Sequence, residues 1–408
     1  MKDSCEPLLF YCQHSLGMGH LVRSLALAAS LAERFRVVLL NGGKLPKGLP
    51  VPGGVEVVNL PPLGLDAEGR LVSRDGRRTA ERAKELRRVQ ILETYRRLRP
   101  GVVLVELFPF GRKKFAGELT PLLEAARAEE SRRPLVVCSL RDILVRARAE
   151  QQKHDARAVE TANRYFDAVL VHSDPTFARL EESLGSYRRL AVPVHYTGFV
   201  LPAQEPAPRA ATKGERQILV SAGGGLVGET LFRTAAAAYT LLGPTDDVTM
   251  KIVAGPFLPE GAWQSLRESA GRLRGLSTRR FVPDLCAEMR LSAASVSQCG
   301  YNTALDIVRA GVPALVVPFA DGGEDEQLER ARRLERLGAL RVAEQRELDP
   351  ARFAQELRSL LTFRPQEAAL DMRGGHNSAR LIESLLRSQT SRAAGSLRRT
   401  RAAKEAQA

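Results

Sequence analysis

What the chain lacks narrows its reading first. Its five cysteines, Cys5, Cys12, Cys138, Cys286 and Cys299, form no C-x-x-C pair and have no histidine at ligand spacing. A structural zinc site and a disulfide framework are therefore not expected. Aromatic residues make up 5% of the chain, too few for a base-stacking platform, so nucleic acid is not an expected partner. No apolar run approaches the roughly 18 residues that a membrane-spanning helix requires. The opening MKDSCEPLLFYCQHS carries Asp3 and Glu6 where a secretory leader has basic and then apolar residues, and a cytoplasmic location is expected. The phosphate-loop pattern GxxxxGK[ST] is missing, and no glycine turn forms a full dinucleotide fingerprint with an acid after the next strand. NTPase and nicotinamide chemistry are thereby disfavoured. No D-x-D pair stands where it would hold a metal, so neither metal nor cofactor is expected.

What is present is a soluble globular composition, 44% hydrophobic and 26% charged, with a formal net charge of +14. The excess arginine is interleaved with glutamate, as in RRTAERAKELRRVQILETYRRLR, which is the pattern of a solvated helix face. The first half alternates short β-rich runs (LLFYCQ, RVVLLNG, VEVVNL, GVVLVELF, PLVVCSLRD, DAVLVHS) with helical spacing at 21–34, 77–99, 114–130 and 145–165. After a Pro- and Ala-rich linker at 200–216 the alternation restarts. Strands are expected at QILVSAGG, VTMKIVAG, TRRFVP, AASVSQ and PALVVPF, and helices at 227–242, 260–273, 302–310 and 324–337. The fold class is α/β, with two doubly wound Rossmann-like domains, 1–199 and 217–373, facing one cleft. A capped helix at 374–388 is expected to pack back toward the N-terminal domain, and 389–408, with no apolar face, to be a disordered basic tail.

Three glycine-bearing strand-to-helix turns fall at the expected cleft: Gly17-Met18-Gly19-His20, Ser221 to Gly225, and Ser297 to Asp306. Each would aim bare helix N–H groups and a partial positive charge at an anion. A buried strand, Ala314 to Pro318, then runs into a loop dense in acid and amide groups, Asp321, Glu324, Asp325 and Gln327.

The run S-x-C-G-Y-N-T-x-x-D-x-x-x-A-G-V-P-x-x-V-V-P, followed by an E-x-x-Q-x-x-R-A helix and L-G-A, resembles the C-terminal domain of GT-B glycosyltransferases. It is most like the family, glycosyltransferase family 28, whose best-known enzyme adds N-acetylglucosamine to the lipid-linked peptidoglycan precursor. GMGHLVRSLALA resembles the N-terminal loop of that group and also of the nucleotide-sugar hydrolase used in pseudaminic acid synthesis. Together with VELFPFGRKKF, SLRDIL, HSDP, YTGFV and SAGGG, these motifs are similar to a set of bacterial predicted glycosyltransferases. Residues 44–100 carry no part of the resemblance.

The resemblance implies that the second domain holds a nucleotide diphosphate sugar, UDP-linked. Asp306 falls where the family has a ribose-binding Glu, one methylene longer. Gly300, Tyr301 and Asn302 would offer helix N-terminal amides to the diphosphate. Val282 would meet the base with its backbone, Gln327 the ribose or sugar hydroxyls, and Gly223, Gly224 and Gly225 a donor or acceptor phosphate. Gly17 and Gly19 would form the acceptor loop. Transfer would be inverting and metal-independent, to a glycan, lipid-linked or small-molecule acceptor. His20 is the preferred base because its ordinary pKa lies near working pH and it opens a helix at the cleft. Glu106 and Asp142, at strand ends, are alternatives, although an Asp after Arg is commonly a local ion pair. Cys299 reads as a packing residue. Two other functions stay open: a hydrolase in which His20 activates water, and a non-catalytic nucleotide-sugar binding subunit. The basic tail from Arg392 to Lys404 adds contact with an anionic inner membrane face as an expectation.

Overall fold

The computed structural model describes residues 5–14, 18–46, 48–66, 69–129, 132–146, 149–202, 216–243, 247–319, 325–347 and 349–405. In the N-terminal half the strands are β1 (Pro7–Cys12), β2 (Arg36–Asn41), β3 (Val55–Asn59), β4 (Leu63–Leu65), β5 (Leu71–Ser73), β6 (Val102–Glu106), β7 (Leu135–Arg141), β8 (Ala168–His172) and β9 (Val194–Tyr196). The helices there are α1 (Gly19–Leu31), α2 (Ala80–Leu98), α3 (Ala116–Ala128) and α4 (Gln151–Tyr165). The C-terminal half adds strands β10 (Arg216–Ser221), β11 (Val248–Val253), β12 (Leu276–Arg279), β13 (Ala294–Ser297), β14 (Ala314–Val316) and β15 (Arg341–Val342). Its helices are α5 (Glu229–Tyr239), α6 (Glu260–Gly271), α7 (Leu285–Arg290), α8 (Tyr301–Ala310), α9 (Glu326–Arg336), α10 (Pro350–Leu360) and α11 (Gly374–Glu405).

Two parallel sheets result, of seven strands (β3-β2-β1-β6-β7-β8-β9) and six (β12-β11-β10-β13-β14-β15), with a small antiparallel pair β4-β5 beside the first. Continuous apolar runs such as Leu8–Cys12 and Val102–Val105 are buried because helices cover both faces of each sheet. In each sheet the strand order reverses once, between β1 and β6 and between β10 and β13. The connections leaving these neighbours run to opposite faces, which opens a crevice beyond their C-terminal ends. Between the two halves lies a cavity of about 1020 Å³, walled by α1 and the 49–52 loop on one side and by the loops after β10 and β13 on the other.

Several expectations are corrected. TRRFVP is a strand only through Arg279; Phe281 and Val282 lie in the following loop, where Pro283 has no N–H for a ladder. The small elements β4, β5, β9, β15, α7 and α10 were not anticipated. The tail expected to be disordered beyond 388 continues α11 to Glu405, consistent with its Pro-free, Ala- and Arg-rich composition. Of the linker, 203–215 lies outside the described residues, and Arg216 already belongs to β10.

The two halves are joined by a buried interface. Ile143, Phe177 and Phe199 pack with Leu219, Tyr301, Leu305 and Leu334 in one apolar cluster. The Tyr301 hydroxyl accepts from the Val200 amide (3.0 Å) and donates to the His172 carbonyl (3.1 Å). Helix α11 returns to the first half along α1, where Arg34 meets Glu383 at 2.6 Å. No helix among the described residues is long and apolar enough to cross a membrane.

Candidate functional site

The first reversal point brings the C-terminal ends of β1 and β6 side by side, so the helix after β1 and the turn after β6 share one crevice. His20, in the first turn of α1, and Glu106, the last residue of β6, meet there with Nδ1 2.6 Å from Oε1. Glu106 is fully buried, whereas the His20 side chain keeps 22% of its exposure. The turn leaving Glu106 is sharp, with Leu107 at φ +64°, a left-handed conformation that costs a non-glycine residue energy and is tolerated where the surroundings hold it.

Arg23, one turn along α1, donates from Nη2 to the same Glu106 Oε1, and Arg112 Nε stands 3.7 Å from Oε2. Burial acts to raise the Glu106 carboxyl, but His20 and the two guanidiniums outweigh it and hold the acid at about 2. His20 is pushed down to about 3, first by burial and then by Arg112 and Arg23, against the opposing pull of Glu106. The pair is thus an ionised carboxylate accepting from a neutral imidazole. This fixes the Nδ1–H tautomer and leaves Nε2 with its lone pair, making no hydrogen bond to the described residues.

Asp142 is not a cleft residue. It is 1% exposed and takes Arg330 as a bidentate partner, Nε to Oδ2 at 2.6 Å and Nη2 to Oδ1 at 2.8 Å, across the interface between the halves. The expected local pairing with Arg141 gives way to this one, while Arg141 instead reaches Glu326 at 3.1 Å. Asp142 is therefore withdrawn as a base: its oxygens are committed and shut away from the cavity. Arg23, Arg112 and Arg330 were missed by sequence reasoning, since each is one arginine among many and nothing local marks it.

The second reversal point assembles the other wall. Gly223 to Gly225 turn the chain after β10, with Gly225 at φ +89° packed so closely on Gly255 that a Cβ would sit 2.1 Å from the Ala254 carbonyl oxygen. Only glycine fits there. Gly300 precedes α8, whose first turn has no acidic residue and no side-chain cap among the described residues; the same is true of α1. The two helix starts lie together, the Asn302 side-chain amide donating to the Gly19 carbonyl at 3.0 Å. Tyr301 offers the site its backbone only, because its ring and hydroxyl are spent at the interface. Gly17 lies outside the described residues, as do Asp321 and Glu324.

Asp306, Val282 and Gln327 line the same cavity. Burial pushes the Asp306 carboxyl up to about 7, aided by Asp284 and opposed by Arg309, and the carboxylate accepts no hydrogen bond from the described residues. Gln327 Oε1 accepts from the amides of Cys299 (3.1 Å) and Phe319 (3.3 Å), which leaves its NH₂ with no hydrogen-bond acceptor among the described residues. Burial pushes the Cys299 thiol up to about 12, so it stays protonated and packs.

Comparison with known proteins adds an independent line. Residues 258–385 match the family model described as the glycosyltransferase family 28 C-terminal domain. The UDP-N-acetylglucosamine–N-acetylmuramyl-(pentapeptide) pyrophosphoryl-undecaprenol N-acetylglucosamine transferase of Bordetella parapertussis is 30% identical over 356 residues, 83% of this chain and 85% of that one. The enzyme of the same name from Alkalilimnicola ehrlichii is 29% identical over 162 residues, and that match spans 40% of this chain and only 44% of the relative. Among solved structures, MurG of Acinetobacter baumannii superposes with a TM-score of 0.53 at 19% identity, covering 93% of this chain and 99% of that one. The calicheamicin glycosyltransferase CalG4 gives 0.56 at 18% identity, covering 96% and 98%. At these identities the structures speak for the fold, which is GT-B. The 30% identity sustained across both halves, with the family 28 domain in the second, shows that this chain belongs to glycosyltransferase family 28.

Proposed function

We propose that the protein transfers a sugar from a UDP-sugar to an acceptor hydroxyl by a single inverting displacement, with His20 as the base. The observation that carries this reading is the meeting of two half-sites at the start of α1: an oriented neutral imidazole at the first reversal point, next in the chain to Gly19 of the cavity wall, and at the second a glycine loop lining that cavity with a helix start that no acid occupies. An imidazole whose Nδ1–H is tied to an ionised carboxylate has one basic atom, Nε2, to receive the acceptor proton. The nucleoside diphosphate leaving group develops negative charge, which the first-turn N–H groups of α8 and α1 would offset. Asp306, ionised, would accept the ribose hydroxyls, the Gln327 NH₂ would donate to sugar or ribose oxygens, and the backbone at Val282 would meet the base. The named relatives act with UDP-N-acetylglucosamine, which supports UDP as the carrier.

The acceptor wall of the cavity is apolar, formed by Val22, Leu25, Ala29, Leu49 and Val51. This favours an acceptor with an apolar body over a free glycan, and it favours transfer over hydrolysis. Peripheral contact with anionic lipid would come from the basic stretch Arg392 to Lys404. Deleting that stretch should reduce sedimentation with anionic vesicles, and unchanged sedimentation would remove it from the account.

The test is a product-resolved assay with UDP-, GDP- and dTDP-sugars, with and without a cell lipid and glycan extract. UDP release that requires extract, resists EDTA and moves label into the lipid fraction is the expected result. UDP with free sugar formed in the absence of extract, and lost in His20→Ala, would replace transfer with hydrolysis. Tight donor binding without turnover in either condition would leave a binding subunit.

A further inference from the structure

Glu106 is contacted by more positive charge than a simple acid–base pair needs. Arg23 is 3% exposed and shares Oε1 with His20; Arg112 is 14% exposed and faces Oε2, with its Nε and Nη2 hydrogen-bonded to nothing among the described residues. The Arg23 guanidinium also lies 5.2 Å over the ring of Tyr301, the residue that opens α8 in the other half of the molecule. The remaining groups facing this cluster are uncharged near neutrality. Burial pushes up Cys12 on β1 and Cys138 on β7, pushes up the Tyr301 hydroxyl on α8, and pushes His172 on β8 down to about 3.

We propose that Arg23 and Arg112 are positioning residues for the transfer: they clamp Glu106 from both oxygens, keep His20 in one neutral orientation, and, through Arg23 on Tyr301, tie that orientation to the donor-side helix. A lone buried carboxylate beside an imidazole would favour the imidazolium, whose Nε2 carries a proton and can accept none. One carboxylate against two guanidiniums leaves a local net charge of +1, which opposes a third positive charge on the ring. Glu106 then serves to orient the base without trapping it as a cation. The ring of Tyr301 adds a cation–π contact that holds Arg23 in place only when the two halves are docked.

This inference rests on His20 as the base, so its test includes a measurement independent of turnover. In protein carrying ¹⁵N-labelled histidine, with the His20 signal assigned by its loss in His20→Gln, the ring is followed from pH 4.5 to 8.5. Wild type is expected to show the neutral Nδ1–H tautomer throughout. In Arg23→Gln and in Arg112→Gln the ring should begin to protonate inside this window, at least about one pH unit above wild type, because a nearby cation has been removed. Arg23→Lys keeps the charge and should stay close to wild type. In the transfer assay Arg23→Gln is expected to lower kcat progressively toward the acid end of the range with donor KM nearly unchanged, the acid limb moving upward by the same shift that the NMR titration reads. If Arg23→Gln does not fold, the more exposed Arg112→Gln carries the same test. Both Gln variants showing the wild-type His20 tautomer and titration would overturn the clamp. Failure of wild type to turn over any donor would count against His20 as base while the NMR titrations still decide the clamp.

Discussion

Replacing Asp142 with Asn removes the negative charge and turns one of its two accepting oxygens into an NH₂ facing a guanidinium that is 2% exposed, leaving Arg330 with one amide oxygen, the Cys299 carbonyl at 2.8 Å and the carboxylate of Glu326 nearby. An uncompensated buried charge costs about 3–5 kcal/mol, a large share of a typical total stability of 5–15 kcal/mol. For 408 residues, an unfolding entropy of about 2 cal/mol/K per residue converts this to a fall in Tm of about 4–6 °C. Substituting both partners, Asp142→Leu with Arg330→Met, should recover most of the loss, since two apolar side chains leave no orphaned charge. The assay is thermal unfolding of wild type, Asp142→Asn and the double variant, paired with kcat of the folded enzyme, which should change little in Asp142→Asn. Wild-type stability in Asp142→Asn together with a hundredfold loss of kcat would refute the reasoning and return Asp142 to the chemistry.

Three further outcomes follow from the site. His20→Ala should lower kcat by about 10²–10⁴-fold with donor KM largely retained, and Glu106→Gln should lower it less, as expected for loss of a base and loss of its orienter; steady-state kinetics on the natural acceptor check both. Because the Asp306 carboxyl lies at about 7 and its ionised form is the one that accepts hydroxyl protons, donor KM should rise as pH falls through 7; Asp306→Asn should raise KM and make it independent of pH from 6 to 8. Gly225→Ala should destabilise the donor loop far more than Gly223→Ala: the first places a Cβ 2.1 Å from a backbone oxygen, the second 3.8 Å from the Thr303 hydroxyl. Equal donor affinities measured by calorimetry would show that the loop relaxes freely.

Much of the second half was legible because its signals are local. A strand, a glycine where the backbone turns, and a helix start with no acid lie within ten residues of one another, and Gly300, Asp306 and Gln327 line one cavity. The first half was legible in outline only. His20 was identified by its place after β1, but whether Glu106 was its rival or its partner had no local signature, because 86 residues separate them. Asp142 was misread for the same reason, its partner lying 188 residues away.

The amino-acid sequence by itself determined the two doubly wound layers: buried apolar runs and 3.6-residue spacing depend on neighbours in the chain, and their alternation allows little else. It also determined where the backbone can turn tightly, through glycines such as Gly225 that no side chain could replace. Only the tertiary structure decided the order of the strands, and with it the two reversal points that put His20 beside Glu106 and α8 beside α1. Which of the 61 basic residues became Arg23 and Arg330, buried and paired, was decided there too. A charge is drawn inside only where a distant segment delivers its counter-charge, and no local pattern records that meeting.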